Sequence, residues 1–214
     1  MKMKKMLTSK IIICLVIVFV VFSSFAMSFN SSNEKTILIP GNAIVNIPPV
    51  KDSVGSQKAF LAAYKVLMSP RCMNCHPSGD IPLQGDDSHL HTQGVKRGID
   101  GKGLYALKCA NCHQPQNSLG IHMPPGNPNW HLPPANMKMV FQNKTPRELA
   151  AQLKDLKRNG NKTLAQLIVH VTSDKLVLGG WDPGDGRTLP PLSHAEFAKN
   201  FKAWIDKGAY LPSK

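Results

Sequence analysis

Twelve unbroken apolar residues, Ile11 to Phe22, follow a basic start at Lys2, Lys4, Lys5 and Lys10. Ser24 and Ala26 then supply small residues at the −3 and −1 positions of a cleavage site, so residues 1–26 read as a secretory signal peptide. Twelve residues are short against the roughly 20 a membrane span needs. Continued through Met27, the run reads alternatively as an uncleaved N-terminal anchor. Residues 27–55 lose the pattern, and Pro40, Pro48 and Pro49 in polar surroundings predict a flexible linker. From Lys58 apolar positions recur on one helical face, at Phe60, Leu61, Tyr64, Leu67 and Met68, and Pro70 ends that helix. This helix leads the main domain, residues 56–214.

Residues 77–103 are rich in Gly, Asp and His and read as loop, and a short helical stretch is expected at Leu104 to Leu107. The proline-rich segment 114–134 is a second long loop. Loops of this length inside a compact domain are usually functional. The last third is helical. Thr145, Pro146 and Glu148 form a capping box with proline at N1, with Gly160 as the expected stop. A second helix spans about Thr163 to Val171 and carries His170. Ser193 and Glu196 cap a third, whose stripe of Phe197, Phe201, Trp204 and Ile205 closes at Gly208. No alternating run or strand pair stands out after residue 50. The expected class is mainly α, small helices joined by long loops.

Charge changes this picture little. The formal net charge of +13 falls to +9 once residues 1–26, with four lysines and no acids, are removed. A basic balance without interleaved aromatic stripes does not call for a nucleic-acid partner. It suits docking to an acidic protein surface.

The chemistry lies in two clusters. Cys72-Met73-Asn74-Cys75-His76 and Cys109-Ala110-Asn111-Cys112-His113 are both C-x-x-C-H, the attachment motif of haem c. Two intervening residues let both sulfurs reach the vinyl groups on one porphyrin edge, and the adjacent histidine falls beneath the iron. His76 and His113 are therefore the expected proximal ligands, and Cys72, Cys75, Cys109 and Cys112 the covalent anchors of two haems. A Cys₄ zinc site prefers about 15–20 residues between its pairs. Here 33 intervene, and zinc leaves a histidine after each pair unexplained. Thioredoxin-like pairs need a βαβ setting, and disulfides again leave the histidines without a role. Cys14, inside the apolar run, reads as a thiol in a discarded segment.

Two axial positions remain. His89 and His91 lie within loop reach of the first iron, Met123 sits in a Met-Pro context, and Met137 and Met139 precede a capped helix. His131 lies near them, and His170 is on its own helix. His91 and Met139 are the preferred distal ligands, with Met123, His89, His131 and His170 as alternatives. His194, beside a helix cap, reads as structural. The choice matters because Met/His ligation raises a haem's potential.

The stretch from Cys72 onward resembles a family of bacterial dihaem cytochromes, many described as the cytochrome subunit of isoquinoline 1-oxidoreductase-type molybdenum hydroxylases. The resemblance is carried by Asn74-Cys75-His76-Pro77 with Gly79-Asp80, by His91 ahead of Val95-Lys96-Arg97-Gly98, and by Asp100-Gly101. It continues through the second motif, Trp130-His131-Leu132-Pro133-Pro134, Met139-Val140-Phe141, His170 with Asp174, and Gly180-Trp181 before Pro183-Gly184. The ending Trp204-Ile205-Asp206-Lys207-Gly208-Ala209 with Pro212 is similar to the last helix of class I cytochromes. Gly179, Tyr210 and Leu211 depart from the pattern without touching an expected ligand. The resemblance implies a cytochrome c-like fold around two haems and electron transfer from a molybdenum-containing dehydrogenase.

The function these features point to is an extracytoplasmic electron carrier with two covalently bound haem c groups, serving a dehydrogenase, another cytochrome or an oxidase. The enzymatic alternative, a dihaem peroxidase with one open iron, is expected to separate its motifs by well over a hundred residues. Here the two first cysteines are 37 positions apart. A haem-based sensor is a third class, and no attached signalling segment is recognisable.

Overall fold

The computed structural model describes residues 51–213, which belong to one compact unit running from Val50 to the C-terminus. The expected signal segment and nearly all of the expected linker lie outside the described residues. The described part is mainly helical, with 37% helix and 5% strand in six α-helices and short pieces. Among the described residues no helix is long and apolar enough to cross a membrane.

Helix α1, Ser53–Leu67, begins within the stretch expected to be linker, because the Asp52 carboxylate accepts from the Gly55 amide at 2.8 Å and caps it. Its buried face, Ala59, Phe60, Ala63, Val66 and Leu67, meets the last helix, α6, His194–Asp206. Phe60 and Trp204 pack with ring centroids 4.7 Å apart, and Phe201 meets Trp204 edge-on at 5.4 Å. The Ser56 hydroxyl donates to the Trp204 carbonyl at 2.8 Å and accepts from the Tyr210 amide at 3.0 Å. A buried serine thereby ties both ends of the domain together with its polar atoms satisfied.

Helix α3, Pro146–Lys154, and α4, Leu164–Ser173, complete this layer with Leu149, Ala150, Leu153, Leu167 and Val171. The expected capping boxes at Thr145/Glu148 and Ser193/Glu196 are present, and a third, Thr163/Gln166, opens α4. The stop of α3 differs from expectation. Asp155 turns extended directly after Lys154, and its carboxylate caps Lys157 and binds Arg158, so Gly160 lies in the following loop with φ +78°. At the end of α6, Gly208 (φ +110°) lets the chain reverse, and Ala209 donates back to Trp204 at 2.8 Å.

Pro70 also acts differently from expectation. Helix α1 ends at Leu67, and Pro70 opens a short α2, Pro70–Met73, where its missing amide costs nothing. The segment after it folds as two tiny hairpins. Strand β1, Leu83–Gln84, pairs with β2, His89–Leu90, and β3, Gly103–Leu104, with β4, Leu107–Lys108. The helix expected at Leu104–Leu107 is thus a hairpin turn. Gly103 at φ +91° and Tyr105 at φ 50° set its path, and a Cβ at Gly103 would meet the Leu107 carbonyl at 2.3 Å. Helix α5, Lys175–Leu178, and a 3-10 turn at Gly179–Trp181 close the domain's other side.

Arg97 organises the loops. Its side chain is fully buried, donating to the carbonyls of Pro133 at 2.5 Å and Gly79 at 3.1 Å, with Asp80 at 3.7 Å. One guanidinium thus joins three loop segments that have too few apolar residues to pack by themselves.

Candidate haem sites

Each cysteine motif forms a tight local turn. In the first, the amides of Cys75 and His76 donate to Cys72 and Met73. In the second, the amides of Cys112 and His113 both donate to Cys109, within and just after the 3-10 turn Cys109–Asn111. The four cysteines are free thiols. Burial pushes the Cys72 thiol up to about 12 and the Cys75 thiol up to about 11. Neither is a thiolate near neutral pH, the opposite of what thiol–disulfide redox chemistry selects.

The two motif histidines have the same surroundings. His76 Nδ1 lies 2.6 Å from the Met139 carbonyl, and its ring stacks on Phe141 at 3.9 Å and 7°. His113 Nδ1 lies 2.7 Å from the Pro125 carbonyl, and its ring stacks on Trp130 at 4.0 Å and 7°. A carbonyl only accepts, so each Nδ1 carries the proton and each Nε2 keeps its lone pair. Burial holds His76 down at about pKa 4 and lowers His113 as well, so both rings are neutral in the physiological range. A neutral imidazole, oriented by a carbonyl on Nδ1 and clamped by a flat ring, is the form in which histidine binds a metal.

The second motif opens on a cavity of about 260 Å³, whose wall includes Cys75, Cys109, Cys112, His113, His91 and Trp130. Cys75 of the first motif therefore faces the same space as both cysteines of the second. The His91 ring lies 6.4 Å from the His113 ring, inclined at 63°. It is brought there by the β1–β2 hairpin and by its amide, which donates to Pro82 at 2.9 Å. Its Nδ1 is buried without a hydrogen-bond partner. Loop reach suggested the first iron for His91. The structure sets its ring beside His113 of the second motif, in a cavity that Cys75 of the first motif also lines.

Met139, the other preferred distal residue, lies at the Nδ1 end of His76, the end facing away from the Nε2 lone pair. Its side chain packs against the helical core. Met139 thus meets His76 through its carbonyl, at the end of the ring opposite Nε2. His170 is half-buried on α4, with Nδ1 3.0 Å from the Asp174 carboxylate, and burial lowers its pKa; it is near enough to His76 that a proton on it disfavours one on His76. Of the remaining alternatives, His89 is exposed and bound to Asp87 at 2.6 Å, His131 is held by the Asn129 carbonyl at 2.5 Å, and Met123 is largely exposed. His194 Nε2 bonds the Val171 carbonyl at 2.8 Å and its ring meets Trp181, a position that joins α6 to α4.

Among the described residues no three of His, Cys, Asp and Glu converge on one point. A haem asks for less, one or two axial side chains on opposite faces of the iron. The residues around His113 fit such a group. The buried Nδ1 of His91 has no partner, and the walls around it are largely apolar. Sequence reasoning quoted Trp130 and Phe141 without giving them a role, and it missed the acceptor carbonyls of Met139 and Pro125. The aromatic residues were visible as isolated side chains in loops, but which histidine they would cover was not. Compared with known proteins, the chain matches no family model, no curated protein and no solved structure.

Proposed function

We propose that this chain is a dihaem c-type cytochrome, cytochrome c-like in fold, that carries electrons outside the cytoplasm between a dehydrogenase and a respiratory acceptor. The carrying observation is the His91–His113 pair, two rings 6.4 Å apart across a cavity walled by Cys109 and Cys112. A metal–imidazole bond is about 2.0–2.1 Å, and the ring centre lies about 1 Å behind the nitrogen, so rings on opposite faces of one iron have centres roughly 6 Å apart. The observed spacing suits an iron between them.

In this reading Cys72 and Cys75 hold one haem and Cys109 and Cys112 the other, each thiol adding its S–H across a vinyl group to form a thioether. The bound group supplies a one-electron couple. The protein's part is to orient His76 and His113 through their carbonyl bonds, to keep both rings neutral, and to exclude water with Phe141, Trp130 and the cavity walls. Cys75 and the second motif share one cavity, which favours electron exchange between two closely set haems. The signal segment agrees with an extracytoplasmic location, where haem c is attached. The resemblance to cytochrome subunits of molybdenum hydroxylases supports a dehydrogenase as donor, and a dihaem peroxidase is the competing reading. No catalytic residues are assigned.

Expression with a cytochrome c maturation system tests the proposal. The denatured protein is expected to keep a haem stain and a mass increase of two haems, and both increments are expected to vanish in a Cys→Ala variant of the corresponding motif. A colourless protein without added mass overturns the reading. Rapid turnover of peroxide with a reduced donor would replace the carrier by the peroxidase.

A further inference from the structure

The wall of the cavity beside His113 is unbalanced in charge. Arg71, Arg187 and Lys108 line it, and no Asp or Glu does. Arg71 extends from α2, one residue before Cys72, and its side chain is only 7% exposed. Its Nη2 binds Asp86 at 2.5 Å and the Gly85 carbonyl at 3.2 Å, but its buried Nε has no acceptor. Arg187 comes from the loop after the Gly179–Trp181 turn, and its terminal nitrogens donate to the carbonyls of Pro183 at 3.2 Å and His122 at 2.8 Å. The two guanidiniums are close enough to repel each other, and Asp86 is the acid that acts on both. Asp86 is itself engaged by the Thr188 amide and hydroxyl, at 3.0 and 2.7 Å. A buried guanidinium with an unpartnered Nε beside a second, half-buried one, the two sharing one occupied carboxylate, forms an incomplete network that calls for a further anion.

We propose that Arg71 and Arg187 bind the propionate carboxylates of the haem attached at Cys109 and Cys112. This inference rests on the dihaem reading above. Thioethers at Cys109 and Cys112 fix the vinyl edge of that haem, and its two carboxylates project from the opposite edge. Lys108 belongs to the cysteine side of the wall, and its ammonium is taken by the Gly103 carbonyl at 2.9 Å. Arg71 and Arg187 are the lining cations that come from other segments. Arg71 then links the two haems, since it belongs to the same short helix as Cys72 and reaches towards the second group's carboxylates.

Positive charge beside a haem favours the reduced iron, which carries one less positive charge. Spectroelectrochemical titration of the purified holoprotein tests the inference. In Arg187→Gln the reduced-to-oxidised ratio of one haem at fixed applied potential is expected to fall about tenfold, a 59 mV drop for a one-electron couple, with the other haem shifted much less. Arg71→Gln is expected to act in the same direction, and Arg187→Lys to keep most of the wild-type potential. If Arg71→Gln does not take up two haems, Arg187→Gln decides, because its side chain holds only loop carbonyls. Unchanged potentials, equal shifts in both haems, or a lysine variant as low as the glutamine overturn the inference while leaving the dihaem reading intact. A wild-type protein without covalent haem overturns both, and is recognised before any titration.

Discussion

The ring centres of His91 and His113 lie 6.4 Å apart, the rings inclined at 63°, although 21 residues separate them in the chain. The β1–β2 hairpin carries one ring, and the turn after Cys109–Asn111 carries the other.

On the proposed dihaem reading, removing one ring of this pair opens one face of an iron. His91→Ala is expected to give one haem that binds carbon monoxide when reduced and turns high-spin when oxidised, whereas the wild type binds little at that site. Optical spectra with and without carbon monoxide measure it. An unchanged spectrum in His91→Ala would refute His91 as an axial ligand.

For the haem proposed at Cys72 and Cys75, His170 is the distal candidate. Asp174 holds the proton on its Nδ1, while Met139 offers His76 its carbonyl at the Nδ1 end. His170→Ala is expected to make that haem reactive to carbon monoxide, and Met139→Leu to leave the low-spin spectrum of both haems in place. A loss of the low-spin signal in Met139→Leu alone would restore the methionine.

Stability rests on the α1–α6 layer. Trp204 is fully buried between Phe60 and Phe201, and its indole donates to the Tyr210 carbonyl at 3.1 Å. Trp204→Ala is expected to cost about 3–5 kcal/mol, through a large cavity and the loss of that bond. Urea unfolding followed by far-ultraviolet circular dichroism reads the change.

Asp86 gives the domain an acid-sensitive link between the first hairpin and the loop at Thr188. The Thr188 hydroxyl and amide, with Arg71 adding its charge, hold the Asp86 carboxyl below its ordinary value of 3.8. A carboxyl depressed in the folded state stabilises the fold above its unfolded pKa, and that contribution is lost as pH falls through the folded value. Asp86→Asn is therefore expected to be less stable than wild type at neutral pH. The difference should shrink as pH drops below 3.8, in parallel denaturant titrations.

Short-range chemistry accounts for what could be read directly from the chain. Each C-x-x-C-H motif sets two cysteines and a histidine within five residues, so the motif itself is legible without any distant partner. The helices at Thr145 and Ser193 were legible for the same reason, since a capping box spans one turn. Misjudged local features failed where tertiary contacts overrode the pattern. Leu104 to Leu107 has helical apolar spacing, but Gly103 packs against the Leu107 carbonyl and only a hairpin fits.

The sequence by itself determined two C-x-x-C-H motifs, the histidine that closes each, and a mainly helical body. Tertiary structure decided which distant groups meet those histidines: the carbonyls of Met139 and Pro125, the rings of Phe141 and Trp130, and His91 beside His113 rather than His76. Those partners lie on long loops with little periodicity. Such loops are held largely through backbone carbonyls, as where the buried Arg97 guanidinium binds those of Pro133 and Gly79, and a carbonyl is the same for every residue type.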